Sequence, residues 1–444
     1  MVGNGMDRRS FLRKTSGALA AAAAAPAIVP ASALGREGRP APSERIVVGC
    51  IGVGDRGGQV MSEFLREADC QVVAVCDVKS NVLEQKQKLV NEHYRNQDCQ
   101  AYKDFRELVA RNDIDAVLVA TCDHWHVLAS LAAARSGKDV YMEKPMGLSI
   151  QQDQTMRQAV RDHKRIFQFG TQQRSDPNFR FACELARNGR IGKLQSISVW
   201  APGSSQGGST EPAPVPGWLD YEMWLGPAPF KPYTAGRESN ALWWFISDYA
   251  IGFIAGWGIH PIDVAYWGAP EKFAEGPWTI EGTGTFPTAG VCDTAMNWDV
   301  KIGLAGGVVV NFTGAPAKKE WKERYGVDNG HGTAFEGADA WVHVDRAGIT
   351  AHPKELLKAT WSGSDVQLTQ SPGHVRNFLE GVRDRKPAIS PVEDAVQGDF
   401  LCQLSDIAIR TGRKLTWDPK TEKFLNDDAA NQRLSRPMRA PWRL

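Results

Sequence analysis

From Arg45 to about Gln172 the apolar residues fall into short runs separated by amphipathic stretches. Residues 46–51, 71–76, 116–120, 140–142 and 165–169 read as strands, and 59–67, 82–91 and 127–136 between them carry the helical period. Two more helices announce themselves by their first turns. Asp104 is followed by Glu107, and Ser149 by Gln152, each at capping-box spacing. Strand–helix alternation of this kind predicts a doubly wound parallel sheet. Beyond Gln172 the texture changes. Glycine, proline and tryptophan become frequent, and residues 195–200, 296–302 and 307–312 alternate polar with apolar positions. That pattern predicts a largely antiparallel sheet with one exposed face. Helical periods return at 374–385 and 391–411, and the tail past Trp417 is polar and basic. No internal repeat is present.

The amino-terminal segment has a different character. Arg8-Arg9-Ser10-Phe11-Leu12 precedes an alanine-rich apolar stretch over 18–29, and Ala31-Ser32-Ala33 offers a small-residue cleavage site. This order reads as a twin-arginine signal, used for export of folded proteins, and the stretch is too short and alanine-rich for a committed membrane span. The expectation is a soluble periplasmic protein that engages the twin-arginine export machinery and keeps no stable membrane anchor. With 444 residues, two domains are the default. The chain then divides into the signal (1–33), a Pro/Gly-rich arm (34–44), a first domain (45–172), a second domain (173–415) and a tail (416–444).

Charge adds little. The formal net is +1, and loss of the signal removes four basic residues and one acidic residue, leaving a slightly negative chain. Neither nucleic acid nor an anionic membrane has an electrostatic reason to bind. The eight cysteines show no C-x-x-C and no metal-ligand spacing, so buried thiols are expected and no metal site. Fifteen tryptophans are many. Trp243, Trp244 and Trp257 either fill the core or offer flat faces to a sugar ring.

The chemistry concentrates in four places. Gly52-x-Gly54-x-x-Gly57, with Arg56 inside it, follows the first strand and opens the first helix. Glycines there allow a tight turn and let a pyrophosphate reach the helix N-terminus. Asp77 ends the next strand, where a carboxylate accepts from a ribose 2′-hydroxyl and repels a 2′-phosphate. NAD is therefore favoured, while Lys79 and Ser80 leave NADP open. The segments Ala120-Thr121-Cys122-Asp123-His124-Trp125-His126 and Met142-Glu143-Lys144-Pro145 lie at further strand ends, where such sheets bind ligands. Proline restricts the residue before it, so Lys144 is either a held functional group or an ordinary loop lysine. The fourth place is Gly258-x-His260-x-x-Asp263.

Together the glycine loop, the A-T-x-x-x-x-H segment, the E-K-P motif and G-x-H-x-x-D resemble the glucose–fructose oxidoreductase/inositol dehydrogenase family (Gfo/Idh/MocA) from about Arg45 to Thr411. The resemblance implies a Rossmann domain followed by an α/β domain whose open sheet mediates homo-oligomerisation, and a sugar or cyclitol as substrate. It places Gly52, Gly54, Arg56, Gly57, Asp77, Thr121, Asp123, His126, Glu143 and Lys144 at the dinucleotide, with Thr121 and Glu143 at the nicotinamide ribose. Lys144 would touch the substrate hydroxyl and His260 would exchange its proton, with Asp263 in support. Gln173, Arg174 and Trp257 are expected at the substrate.

One departure stands out. Where the family commonly has an aspartate four residues before the histidine, this chain has Gly256, leaving Asp263 or Asp248 to hold the ring. Export sharpens the chemistry further, because an exported enzyme must retain its cofactor. With dissociation near ~10⁻⁴ s⁻¹ and association near ~10⁶ M⁻¹ s⁻¹, Kd must be ~10⁻¹⁰ M. The arm 34–44 would help by covering the adenine side or a neighbouring subunit, as in the resembling glucose–fructose oxidoreductase. Three readings stay open: an NAD(P)-dependent oxidoreductase on a sugar, cyclitol or glycoside; a glycoside hydrolase or lyase using a closed oxidation–elimination–reduction cycle; and a sugar-binding relative without turnover.

Overall fold

The glycine loop sits where a parallel sheet reverses its strand order. The computed structural model of the chain describes residues 40–314, 318–328 and 330–444. Residues Ile46–Leu444 form a single compact unit. The twin-arginine segment and most of the arm lie outside the described residues.

In that unit, β1 (Ile46–Ile51), β2 (Cys70–Cys76), β3 (Gln100–Tyr102), β4 (Ala116–Val119), β5 (Asp139–Met142) and β6 (Phe167–Phe169) form one six-stranded sheet in the order β3-β2-β1-β4-β5-β6. Every pairing is parallel. The order turns between β1 and β4, the position at which such sheets open a ligand crevice. Burial on both faces explains the apolar runs. Along β4, Ala116 and Leu118 enter one core while Val117 and Val119 enter the other. Asp104 and Ser149 cap their helices through the amides of Arg106 and Gln152. The helix His374–Asp384 returns from far along the chain, and its Phe378 and Leu379 join the core beneath β1 and the first helix.

The second sheet has nine strands: β7 (Leu194–Ala201), β8 (Trp278–Thr285), β9 (Asn297–Gly303), β10 (Val309–Gly314), β11 (Gly332–Gly337), β12 (Trp341–Asp345), β13 (Gly348–His352), β14 (Leu415–Asp418) and β15 (Lys423–Phe424). They run in the order β13-β12-β11-β7-β10-β9-β8-β14-β15, antiparallel throughout except β7–β10. In β9, Trp298, Val300 and Ile302 are buried while Asn297, Asp299 and Lys301 are exposed, the alternation expected of a one-sided sheet. Helices Ile259–Gly268 and Val392–Thr411 pack on the apolar side. The other side carries a cover of its own. From the helix Lys319–Tyr325, Trp321 and Tyr325 pack on Trp200 with ring centroids 5.6 and 6.0 Å apart.

All eight cysteines are thiols, seven of them buried. Among the described residues, no helix is long and apolar enough to cross a membrane. The basic tail is pinned rather than free. Arg436 donates to the carbonyl of Ser247 at 2.7 Å, Arg439 to that of Gly226 at 3.0 Å, and the Trp442 ring meets Trp125 edge-on at 4.6 Å.

Candidate active site

The first helix, Asp55–Arg66, begins at Gly54 without any side-chain cap, so its first amides are left to the crevice. The three loop glycines differ in what surrounds them. A Cβ on Gly57 would lie 1.8 Å from the Gly52 carbonyl oxygen, and Gly52 itself has φ +75° against Ala120 and Thr121. A Cβ on Gly54 would meet nothing within 4 Å. Two of the glycines are thus demanded by the turn, and the third faces open space. Asp77, at the tip of β2, accepts from the amides of Val53 and Lys79, both at 2.9 Å, which fixes its carboxylate beside the loop.

A cavity of about 550 Å³ runs from this loop to Lys144. All ten residues assigned above to the dinucleotide line it: Gly52, Gly54, Arg56, Gly57, Asp77, Thr121, Asp123, His126, Glu143 and Lys144. The far wall comes from the second half of the chain, including Glu238, Asn240, Trp243 and Trp244. That segment is tied across the opening. Lys79 Nζ donates to the Glu238 carbonyl at 3.2 Å, and Asn240 Nδ2 to Asp55 Oδ2 at 2.7 Å.

Within the cavity the polar groups have distinct duties. Glu143 accepts from Arg56 at 3.0 Å and packs against Gly170, where a Cβ would strike its carboxyl at 2.9 Å. Both ring nitrogens of His126 meet backbone oxygens, Pro145 at 2.6 Å and Thr121 at 3.0 Å. Burial keeps the ring neutral, so its single N–H donates to one of these two carbonyls and holds His126 between the strand-end loops. Asp123 is buried with Oδ2 unpartnered, and burial drives its carboxyl well above the usual range despite Lys144 nearby.

Lys144 Nζ donates to the Gly256 carbonyl at 2.8 Å and lies over the Trp244 ring at 5.9 Å. Burial lowers its pKa, against the pull of Glu143 and Asp123. His260, 5% exposed, begins the helix that carries the G-x-H-x-x-D motif, and its Nδ1 has no hydrogen-bond partner. Burial first, then the positive charges of Lys144, Arg346 and Arg56, hold its pKa well below the ordinary value. The ring is a neutral base at neutral pH.

The remaining assignments from sequence lie elsewhere. Asp263 does not reach back to His260. Both of its oxygens are taken by Arg174, at 2.7 and 2.8 Å, in the buried interior. Arg174 also binds Asp394 at 2.5 Å and faces no cavity residue, while Gln173 is buried with its amide unpartnered. Asp248 sits among Lys231, Asp293, Arg237 and Arg436. Trp257 stands beside His260, with ring centroids 5.5 Å apart. Sequence reasoning passed over Arg346, in the turn between β12 and β13, and His331, which both pack on Trp257. Nothing in their local sequence marks them. Among the described residues no group of three or more His, Cys, Asp or Glu side chains is arranged for a metal ion.

Two family models match this architecture. One, described as oxidoreductase family, NAD-binding Rossmann fold, covers residues 46–171, and the other, oxidoreductase family, C-terminal alpha/beta domain, covers 199–282 and 349–444. The chain belongs to the Gfo/Idh/MocA oxidoreductase family.

Among individual members, the chain is 32% identical over 162 residues to a glycosyl hydrolase family 109 protein of Shewanella sp. (strain ANA-3), a match covering 34% of this chain and 36% of that protein. It is 34% identical over 176 residues to the myo-inositol 2-dehydrogenase of Thermotoga maritima, covering 39% and 47% respectively. The chain thus spans less than half the length of these curated relatives. The fold is also that of a Lactobacillus casei scyllo-inositol dehydrogenase crystallised with NAD(H) and scyllo-inositol, with TM-score 0.57 and 18% identity over 84% of this chain and 99% of that one.

The residues present fit the dinucleotide that this NAD-binding family implies. Gly54 faces the space a pyrophosphate needs, the uncapped helix start supplies amide donors and partial positive charge, and Asp77 stands at the ribose end. Lys79 and Lys103 also line that end, so the choice between NAD and NADP is not made by Asp77 alone.

Proposed function

We propose that this protein is an NAD(P)-dependent oxidoreductase acting on a hydroxyl or ketone of a sugar, cyclitol or glycoside, exported with its cofactor retained. The observation that carries the reading is the placement of Lys144. It lines the dinucleotide cavity, and its charge acts on His260, a buried neutral imidazole with an unpartnered nitrogen. A bound nicotinamide supplies the hydride acceptor or donor. His260 takes the hydroxyl proton as the carbon is oxidised and returns it on reduction. Lys144, held by the Gly256 carbonyl, donates to the substrate oxygen as negative charge develops there. Trp244 and Trp257 flank the pair and present apolar faces to a carbohydrate ring.

Glycoside cleavage by transient oxidation, elimination and re-reduction is the second reading. The similarity to Shewanella glycosyl hydrolase family 109 proteins favours it, as does Gly256, which leaves the histidine without a carboxylate. We infer export from the paired arginines and alanine run, and a homo-oligomer from the exposed positions of β8 and β9 on the second sheet.

One experiment covers both enzyme readings. The purified protein is denatured and its released cofactor weighed by mass spectrometry; intact protein is then mixed with sugars and glycosides while absorbance is followed at about 340 nm. Growth or bleaching of that band supports net oxidoreduction. Release of an aglycone without net change supports the closed cycle. A protein that neither carries nor binds a nicotinamide dinucleotide overturns both.

A further inference from the structure

Beside His260 lies a group of side chains that the dinucleotide chemistry does not use. Trp257 is its centre. The Arg346 guanidinium lies over the Trp257 ring at 4.7 Å, and the His331 and His260 rings approach it at 5.1 and 5.5 Å. Both His331 Nε2 and His260 Nδ1 are buried without a hydrogen-bond partner.

The acids within reach are already engaged. Glu143 pairs with Arg56 at 3.0 Å. Asp345, next to Arg346 in sequence, is 2% exposed; its Oδ1 accepts from the turn amides of Ala347 and Gly348 at 2.7 and 3.1 Å, its Oδ2 lies 3.6 Å from His343 Nε2, and its negative charge also acts on His331. Among the described residues Arg346 has no ion-pair partner, while the other charges acting on it and on His260 are cationic: Arg56 and Lys144. Arg346 is exposed at its turn, and a guanidinium stacked on an indole beside imidazole nitrogens without partners can receive an anionic group with several acceptor oxygens.

Resting on the oxidoreductase reading, we propose that Arg346 and His331 form a subsite for a negatively charged substituent, so that the substrate is an acidic carbohydrate. A planar carboxylate suits the guanidinium fork best, and a sulfate ester presents the same chemistry. The charged substituent seats against Arg346 across the Trp257 face and brings the reacting carbon's hydroxyl toward His260 and Lys144. Binding energy from this remote group then orients the reacting centre.

Matched neutral and acidic sugars test the subsite. Protein loaded with NAD is titrated calorimetrically with D-glucose and D-glucuronate, with D-galactose and D-galacturonate, and with D-glucose 6-sulfate, and each mixture is also followed for hydride exchange. The expected result is that the acidic member of at least one pair binds about tenfold or more tightly, and that this preference weakens with salt. Arg346→Gln should reduce the acidic-to-neutral affinity ratio at least about fivefold, and Arg346→Lys should keep part of it. Tighter binding of the sulfate ester than of both uronates assigns the subsite to sulfated sugars. Equal affinity within both pairs without tighter binding of the sulfate ester, a ratio unchanged in Arg346→Gln, or no binding of any acidic probe overturns the proposal. Selective binding of the acids without any hydride exchange supports the subsite and overturns the oxidoreductase reading instead.

Discussion

The ammonium of Lys144 donates to the backbone carbonyl of Gly256 at 2.8 Å, so the lysine is positioned by the residue that stands where relatives commonly carry an aspartate. A carbonyl dipole holds the lysine without neutralising it, leaving its charge available to a developing alkoxide. Lys144→Met removes that donor and leaves the Gly256 carbonyl unpaired. Turnover should fall by about 10²-fold or more, as is typical when a positioned donor is lost. Single-turnover absorbance measurements check this, and a fully active variant would remove Lys144 from the chemistry.

Gly54 and Gly57 should respond oppositely to alanine. At Gly54 the new methyl occupies open space, so stability should hold while dinucleotide affinity drops. At Gly57 it strikes the Gly52 carbonyl at 1.8 Å, so the turn itself must give way and the melting temperature should fall. Thermal denaturation beside cofactor titration separates the two effects.

His260 stays neutral, and so able to accept a proton, well below the ordinary histidine range, because burial and the charges of Lys144, Arg346 and Arg56 disfavour its cation. The acid limb of kcat/KM should therefore lie on the acid side of the ordinary histidine range. A Cβ on Gly256 would meet only Phe253 Cδ1, at 3.5 Å. Gly256→Asp thus has room for its Cβ, and a carboxylate four residues before His260 in sequence should favour the imidazolium and move the acid limb upward. An unmoved limb in that variant would show that His260 is not the titrating group.

Arg174 serves the fold. It is wholly enclosed and bridges Asp263 and Asp394, which come from two different helices. Arg174→Ala leaves two carboxylates without their cation and should cost about 3–5 kcal/mol, read from denaturant unfolding. Asp263→Asn should lower stability too. Reduced kcat in Asp263→Asn with unchanged stability would restore Asp263 to a catalytic role.

The tail braces the cofactor cavity from outside. Trp442 packs on Trp125 at 4.6 Å and on Phe105 at 6.3 Å, and both of those rings line the cavity. Ending the chain after Ser435 removes these contacts together with the hydrogen bonds of Arg436 and Arg439. Cofactor dissociation should quicken by about tenfold, roughly the 1.4 kcal/mol that one aromatic contact of this kind supplies. Stopped-flow displacement of bound NAD measures it.

Local pattern determined much of this protein. The parallel sheet, its glycine turn, Asp77 at a strand tip and the Glu143-Lys144-Pro145 loop follow from two periodicities and from backbone needs that act over a few residues. Those features are legible because β1, β4 and β5 are buried on both sides and declare themselves as unbroken apolar runs. Other features required the folded chain. Arg174 and Asp263 are 89 residues apart and look like site residues until their pairing is seen. Trp442 meets Trp125, Asn240 meets Asp55, and Arg346 meets Trp257 only because helices and sheets bring distant segments together. Side-chain packing and ion pairing between remote segments carry no sequence period, so tertiary structure alone decided which charges were neutralised inside and which were left without a counter-charge.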